Sequence, residues 1–266
     1  MRTRLGVWGG AALVLAAAGF VTAGESEARP LEAIKFRGVI SLCAHANALP
    51  FSSKKGDLPG FQIELAAALA RELGVGLTVE WVTTRYHPRR VDCDIIVGSI
   101  ADRQAQSERR VRLSRPYHQS GVALALRPEL DHVEGFHDLV NGERVGVLSG
   151  SMASFVLDQR GIRTIPFGFE DEMIEALVRG DIEAAAVSPA SAGYYNLTHP
   201  EAPVRLVHAY EGEPELTWGM AVGMRRADYE VVRAVNEALE RLLADGTVAR
   251  IYARYGIEHR PPRRHR

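Results

Sequence analysis

Side chains able to hold a small molecule recur in this sequence wherever a buried-looking apolar run stops. "GVISLCA" opens into "HANALPFSS", which carries His45, Asn47 and Phe51. "CDIIVG" ends on Ser99, "RVGVLSG" leads through Gly150 to Ser151, and "IEAAAV" ends on Ser188. An imidazole, an amide, hydroxyls and an aromatic ring are groups for reversible hydrogen bonding and stacking. Gly150 and Ser151 stand at the start of a helical pattern, so their backbone N–H groups are placed to hold an anion or a carbonyl oxygen. The 9 histidines show no metal-ligand spacing. Glu170, Asp171 and Glu172 in "FEDEM" read as an acidic helix start in preference to a cation site. "TTRYHPRR", with Arg85, Tyr86 and His87, reads as a solvated basic loop.

The elements that must carry these groups alternate short apolar runs with helical patterns, as a parallel α/β sheet requires. "GFQIELAAALARELG" places Phe61, Leu65, Leu69 and Leu73 on one helix face and stops at Gly74. "GLTVEWV", "CDIIVGSI" and "GVALALRP" follow as strands, and after a polar connection the pattern restarts with strand "RVGVLSG". Helices "SMASFVLDQRG" and "EDEMIEALVRGD", strand "IEAAAVSP" and strand "WGMAVGM" come next. Two closing helices follow, the first with a stripe of Val232, Val235, Leu239 and Leu242. Two successive groups of this kind imply two lobes, with "WGMAVGM" returning the last helices to the first lobe. Ligands of open α/β sheets bind outside the carboxyl ends of the strands, so the cleft between lobes is the expected site.

Composition limits the function. With 32 basic and 33 acidic side chains the chain has a net charge of −1, which gives no support for nucleic-acid binding. "MRTRLGVWGGAALVLAAAGFVTAGES" has two arginines, an Ala-rich apolar run and the small-residue signal Val21-Thr22-Ala23. It reads as a signal peptide over residues 1–23, with no later segment apolar enough to span a membrane. An exported chain with 2 cysteines invites one disulfide. Strand geometry argues the other way: if the strands of Cys43 and Cys93 are parallel neighbours ending at one edge, the residues lie roughly 13 Å apart. A bridge needs Cα atoms within about 7 Å.

The segments "LPFSSKKGDLPGFQIELAAALARELG", "LSRPYHQSGVALALRP", "RVGVLSGS", "ALVRGDIEAAAVSPASAGYY" and "AVNEALERLLADGTVARIYARYG" together resemble the periplasmic solute-binding proteins of family 3, over about Ile40 to Gly256. These are type II, Venus-flytrap proteins that feed amino-acid ABC transporters. The resemblance implies an α/β, two-lobed fold with two crossover hinge strands. Lobe 1 would take 34–121 plus 222–258, lobe 2 would take 122–221, and 259–266 would be a flexible basic tail. It also implies a monomer without cofactor or catalytic activity, whose partners are a small polar solute or anion and an ABC permease.

The cleft positions depart from that family. The arginine that holds an amino acid's carboxylate falls, by counting from either side, on Gln106 or Ser107, and Arg103 and Arg109 are neighbours pointing elsewhere. The aspartate that takes the ammonium group falls on Ser188, and the aromatic platform falls on Ala48, with His45 where an acid is usual. Ordinary α-amino acids should therefore not bind tightly, since unpaired buried charges cost several kcal/mol. "CAHANALPFSS" with "CDIIVG" also resembles the J-type accessory proteins of periplasmic quinoprotein alcohol dehydrogenases, which implies such a dehydrogenase as the alternative partner. A few members of the fold dehydrate cyclohexadienyl carboxylates, which needs a cleft general acid. Acidic residues are scarce at the inferred cleft positions, so an enzyme is not expected.

Overall fold

The run "VISLCAH" forms β1 (Val39–His45), buried along its middle and sitting inside a sheet. The computed structural model from which this is seen describes residues 29–82, 91–102, 111–139 and 142–262. A short helix, α1 (Leu31–Arg37), precedes β1 and ends at Gly38. Seven residues with only Ile34 buried make too little periodicity to be read in advance. After β1 come the two-residue strands β2 (Asn47–Ala48) and β3 (Ser52–Ser53), then α2 (Phe61–Glu72) and β4 (Gly76–Val82). Gly60 enters α2 at a φ of 100° and its position leaves no room for a Cβ, which would lie 2.4 Å from the Phe51 carbonyl oxygen. The first sheet is completed by β5 (Ile95–Ile100), β6 (Val111–Leu113) and a strand from far along the chain, β13 (Thr217–Arg225). Its order is β4-β1-β5-β13-β6, with β1 parallel to both neighbours and β13 antiparallel to its own.

The closing helices, α6 (Tyr229–Ala244) and α7 (Thr247–Ala253), cover this sheet together with α2. The buried stripe of α6 runs through Val231, Val235, Ala238, Leu239 and Leu242. The expected stripe differs by one step, since Val232 is only half-buried and Val231 faces the core. Leu65 and Leu69 of α2 meet Leu42, Ile95 and Val97 of the sheet in the same cluster.

A second sheet has the order β10-β9-β11-β8-β12. It consists of β8 (Ala123–Leu126), β9 (Val145–Leu148), β10 (Thr164–Phe167), β11 (Ala184–Val187) and β12 (Arg205–Val207), interleaved with α3 (Met152–Gln159), α4 (Glu170–Arg179) and α5 (Pro189–Thr198). Strands β10, β9 and β11 are parallel, and β8 runs antiparallel to β11 and β12. The two outer strands and α5 escaped the sequence reading: β10 and β12 are short and incompletely buried, and "PASAGYYNLT" has no apolar stripe. The run "GVALALRP" divides in space. Gly121 ends β7 (His118–Gly121), which pairs with the first half of β13 from Thr217↔Gly121 to Met220↔His118, and β8 begins at Ala123 in the other sheet. β7 and β13 are thus the two crossing strands between lobes.

The packing answers the question left open by the two cysteines and corrects the expectation for the tail. Cys43 and Cys93 are joined, with Cα atoms 5.4 Å apart. The distance argument assumed Cys93 on the extension of a strand. β5 instead begins at Ile95, opposite Leu42, and the bent segment before it brings Cys93 against Cys43 and Val82. The start of the expected solvated tail is docked: the Gln119 N–H donates to the Arg260 carbonyl at 2.8 Å, and the Arg260 N–H donates to Nδ1 of His118 at 3.2 Å. His118, buried in that contact and facing His259, is held down at about 3 by burial and then by the neighbouring charge. Residues 263–266 lie outside the described residues.

α5 of the second lobe packs directly on the end of the chain in the first. A Cβ on Gly193 would lie 2.4 Å from the Gly256 carbonyl oxygen, and backbone cannot move aside as a side chain can. Gly193→Ala is therefore expected to lose about 1–3 kcal/mol through overpacking, read as a lower urea midpoint. An unchanged midpoint would mean that α5 withdraws from Gly256 at no cost.

Candidate functional site

The carboxyl ends of three buried strands converge on one cavity of about 800 Å³. Ile100 ends β5 and is followed by Ala101 and Asp102, Leu148 ends β9 with Ser151 beyond it, and Ala186 and Val187 end β11 with Ser188 next. The crossing strands close its back with Gly121, Val122, Thr217, Trp218 and Gly219. This is where open α/β sheets place ligands, because strand ends expose backbone and first helical turns to a common crevice. The volume suits a drug-sized or smaller molecule.

Glu170 supplies the organised charge of the cavity. It is the first residue of α4, and its carboxylate reaches the start of α5 18 residues on. Oε1 accepts the Ser188 N–H at 3.0 Å, and Oε2 accepts the Ser188 hydroxyl at 2.7 Å and the Ser191 hydroxyl. Ser188 also caps α5, its Oγ accepting from the Ser191 N–H at 3.2 Å. These bonds hold the carboxylate in one orientation at the cavity wall. Asp102 and Glu215 also line the cavity, which makes the expectation of few acidic residues there a correction. That expectation weighed only the positions aligned with family anchors.

Of the residues expected to bind, Ser151 and Ser188 line this cavity. Ser151 is turned to local use: its Oγ accepts from the Ser154 N–H as the cap of α3, and its own N–H donates to the Leu148 carbonyl. The backbone N–H of Ser151 is therefore not offered to an anion. Gly150 is exposed at a φ of 68° and is not part of the cavity wall. His45, Asn47, Phe51 and Ser99 are likewise not brought there. His45, the last residue of β1, and Asn47, the first of β2, are exposed. Phe51 packs on Phe61, ring centroids 5.3 Å apart, as a brace for α2. Strand alternation sends Ser99 away from Ile100, and its hydroxyl donates to the Ile96 carbonyl at 3.2 Å. Gln106, Ser107, Arg103, Arg109, Arg85, Tyr86 and His87 lie outside the described residues.

The sequence reading missed Glu170 as a site residue, along with Asp102, Met152, Glu215 and Trp218. For Glu170 the usable signal was an acid one residue after the aromatic Phe169, just past a strand.

The model of the bacterial extracellular solute-binding proteins, family 3, matches residues 40–258. The lysine/arginine/ornithine-binding periplasmic protein of Escherichia coli is 27% identical over 228 residues, 77% of this chain and 83% of that protein. A glutamate-binding protein of Corynebacterium glutamicum is 29% identical over 182 residues, 65% of this chain and 61% of that protein. An ancestral cationic amino acid solute-binding protein superposes with a TM-score of 0.70 at 25% identity, over 85% of this chain and 99% of that one. The periplasmic binding protein XoxJ of Methylobacterium extorquens superposes with a TM-score of 0.66 at 22% identity, over 84% of this chain and 100% of that one, which shows the shared fold. The relatives in sequence are binding proteins.

Proposed function

Because the chain belongs to family 3 of the bacterial extracellular solute-binding proteins, we propose that it is exported by residues 1–23 and captures a small solute with a positively charged end for an ABC permease. The lobes that close on the solute are 34–121 with 222–258, and 122–221. One observation carries this reading: the Glu170 carboxylate, held at the cavity wall by Ser188 and Ser191. A fixed anion on a largely apolar wall favours a cation that can pair with it out of bulk water. The relatives that bind lysine, arginine and ornithine, or cationic amino acids, lean the same way. The usual anchors of the family are replaced, with Ser188 where the aspartate stands and the arginine position at Gln106 or Ser107. Glu170 takes over the cationic half of that task from a different helix.

Calorimetric titration with lysine, arginine and putrescine, against glutamate and a neutral sugar, tests the reading. Cations should bind, and Glu170→Gln should weaken them about 10- to 100-fold, the worth of a hydrogen bond to a charged group. Equal binding of cations by the wild type and the variant would remove Glu170 from the site.

A second reading has its own observation. Cys43 is bonded to Cys93, directly before Asp94, in the motif shared with the J-type accessory proteins. In that reading the lobes serve as a surface for a quinoprotein dehydrogenase. A thermal-stability shift on adding such an enzyme, with none from any cation, would favour it over transport.

A further inference from the structure

The end of the chain does more than close the first lobe. Ile257 is buried in the first core with Tyr252 and Tyr255, whereas Ala209 and Tyr210 belong to the second. From Ile257 the chain runs on beside Tyr117, His118 and Gln119, where the crossing strand β7 begins. The Gln119 N–H donates to the Arg260 carbonyl at 2.8 Å, and His259 Nε2 lies 2.9 Å from the Tyr117 carbonyl oxygen. The Arg260 guanidinium then pairs with Glu211, in the single helical turn Ala209–Gly212 of the second lobe. His208 Nε2, just before that turn, lies 3.6 Å from the Glu258 carboxylate. We propose that residues 258–260 are a latch across the hinge, anchored on the first lobe and released from Glu211 when the lobes turn about β7 and β13.

The two ends of this strap are held in different ways. At its root the buried His118 ring packs on His259 and on the buried Tyr252, with ring centroids 5.4 and 4.7 Å apart. Rings packed out of water, with main-chain hydrogen bonds beside them, make a firm anchor. At the far end the Arg260 and Glu211 side chains meet while still 27% and 47% exposed. Exposed ion pairs are weak, because water replaces either partner readily. The far end is therefore the one that lets go. Arg260 is fixed to the first lobe through its anchor and Glu211 to the second through Tyr210, so a rotation about the crossing strands changes their spacing. Whatever holds the unfilled lobes in one arrangement is opposed by any solute that binds another. None of His208, Glu211 or residues 258–260 lines the cavity, so the latch acts on the balance between arrangements and leaves the solute's own contacts alone.

The competing reading is a static staple, since α5 also packs on Gly256 just before the strap. Double electron–electron resonance on the full exported chain, free of solute, decides between the two. Nitroxides are carried by Phe36→Cys on α1 and Asp158→Cys on α3, both exposed positions, one on each lobe. The two native cysteines are bonded to each other, so the introduced thiols take the label. Circular dichroism and the melting temperature establish that the variants are folded. Arg260→Ala and Glu211→Gln are each expected to raise the population of interlobe distances away from the wild-type maximum about two- to fivefold, the worth of an exposed ion pair. Glu211→Arg combined with Arg260→Glu is expected to restore the wild-type distribution. Distributions unchanged in both single variants, whatever their melting temperatures, would overturn the latch and leave a staple. A reversed pair that does not restore the distribution would also overturn it, since the charge pair would then not be what holds the lobes.

Discussion

An Asp94→Ala variant is expected to lose about 3–5 kcal/mol of stability, the cost of breaking a buried ion pair from one side. For a chain of this size that is a fall in Tm of roughly 6–20 °C. The Asp94 side chain is 3% exposed. Its Oδ1 accepts from Arg29 at 2.7 Å, and its Oδ2 accepts from Arg37 at 3.0 Å and from the Ser41 N–H and hydroxyl at 2.9 Å each. Arg29 also pairs with Asp92, and its segment bridges to Ala227. The carboxylate therefore ties α1, β1 and the bend before β5 into one cluster, and its removal leaves Arg37 without that partner, Arg29 with Asp92 alone and the buried Ser41 N–H without its acceptor. Burial by itself would raise the Asp94 pKa, but the bonds from Ser41 and the charges of Arg29 and Arg37 outweigh it and the net shift is downward. A depressed carboxylate contributes stability that is present above its unfolded value of about 3.9 and is lost as pH falls through the lower folded value. Urea curves from pH 7 to 3 should show that acid loss in the wild type and a shallower one in the variant. A variant melting within about 2 °C of the wild type would show that the cluster is worth no more than a surface pair.

Removing the disulfide is expected to cost about 2–4 kcal/mol, a fall in Tm of roughly 4–16 °C. The bond joins residues 50 apart in sequence, so its loss returns substantial loop-closure entropy to the unfolded chain. Cys43 and Cys93 are 8% and 2% exposed within a small cluster with Val82. The Cys43→Ala, Cys93→Val double variant is therefore the suitable test, since it keeps the site apolar where serine would bury two hydroxyls. An unchanged urea midpoint would mean that the bend before β5 is held by its other contacts, Asp94 foremost. The two sites are neighbours in sequence and space, so combining this variant with Asp94→Ala should give a loss that differs from the simple sum.

What was legible in the sequence was what periodicity and strand ends encode. The repeat in α6 showed a helix with one buried face, and "RVGVLSGS" and "IEAAAVSP" showed buried strands that stop at a hydroxyl. Ser151 and Ser188, which line the cavity, were singled out this way because a residue just past a buried parallel strand is local information, and all such residues face one edge. His45, Phe51 and Ser99 satisfied the same rule and do not line the cavity. Which strand ends share a crevice, and which face of a strand points into it, depends on sheet order, and β13 enters between β5 and β6 from the far end of the chain. The chain by itself thus determined the alternation of elements and the two-lobed class. Only the tertiary structure decided that Glu170 meets Ser188 and Ser191, 18 and 21 residues later, and that Cys93 meets Cys43. Both contacts arise where a chain bend or helix start lies against a distant segment, and the energy that selects them comes from packing across that distance, which no local pattern records.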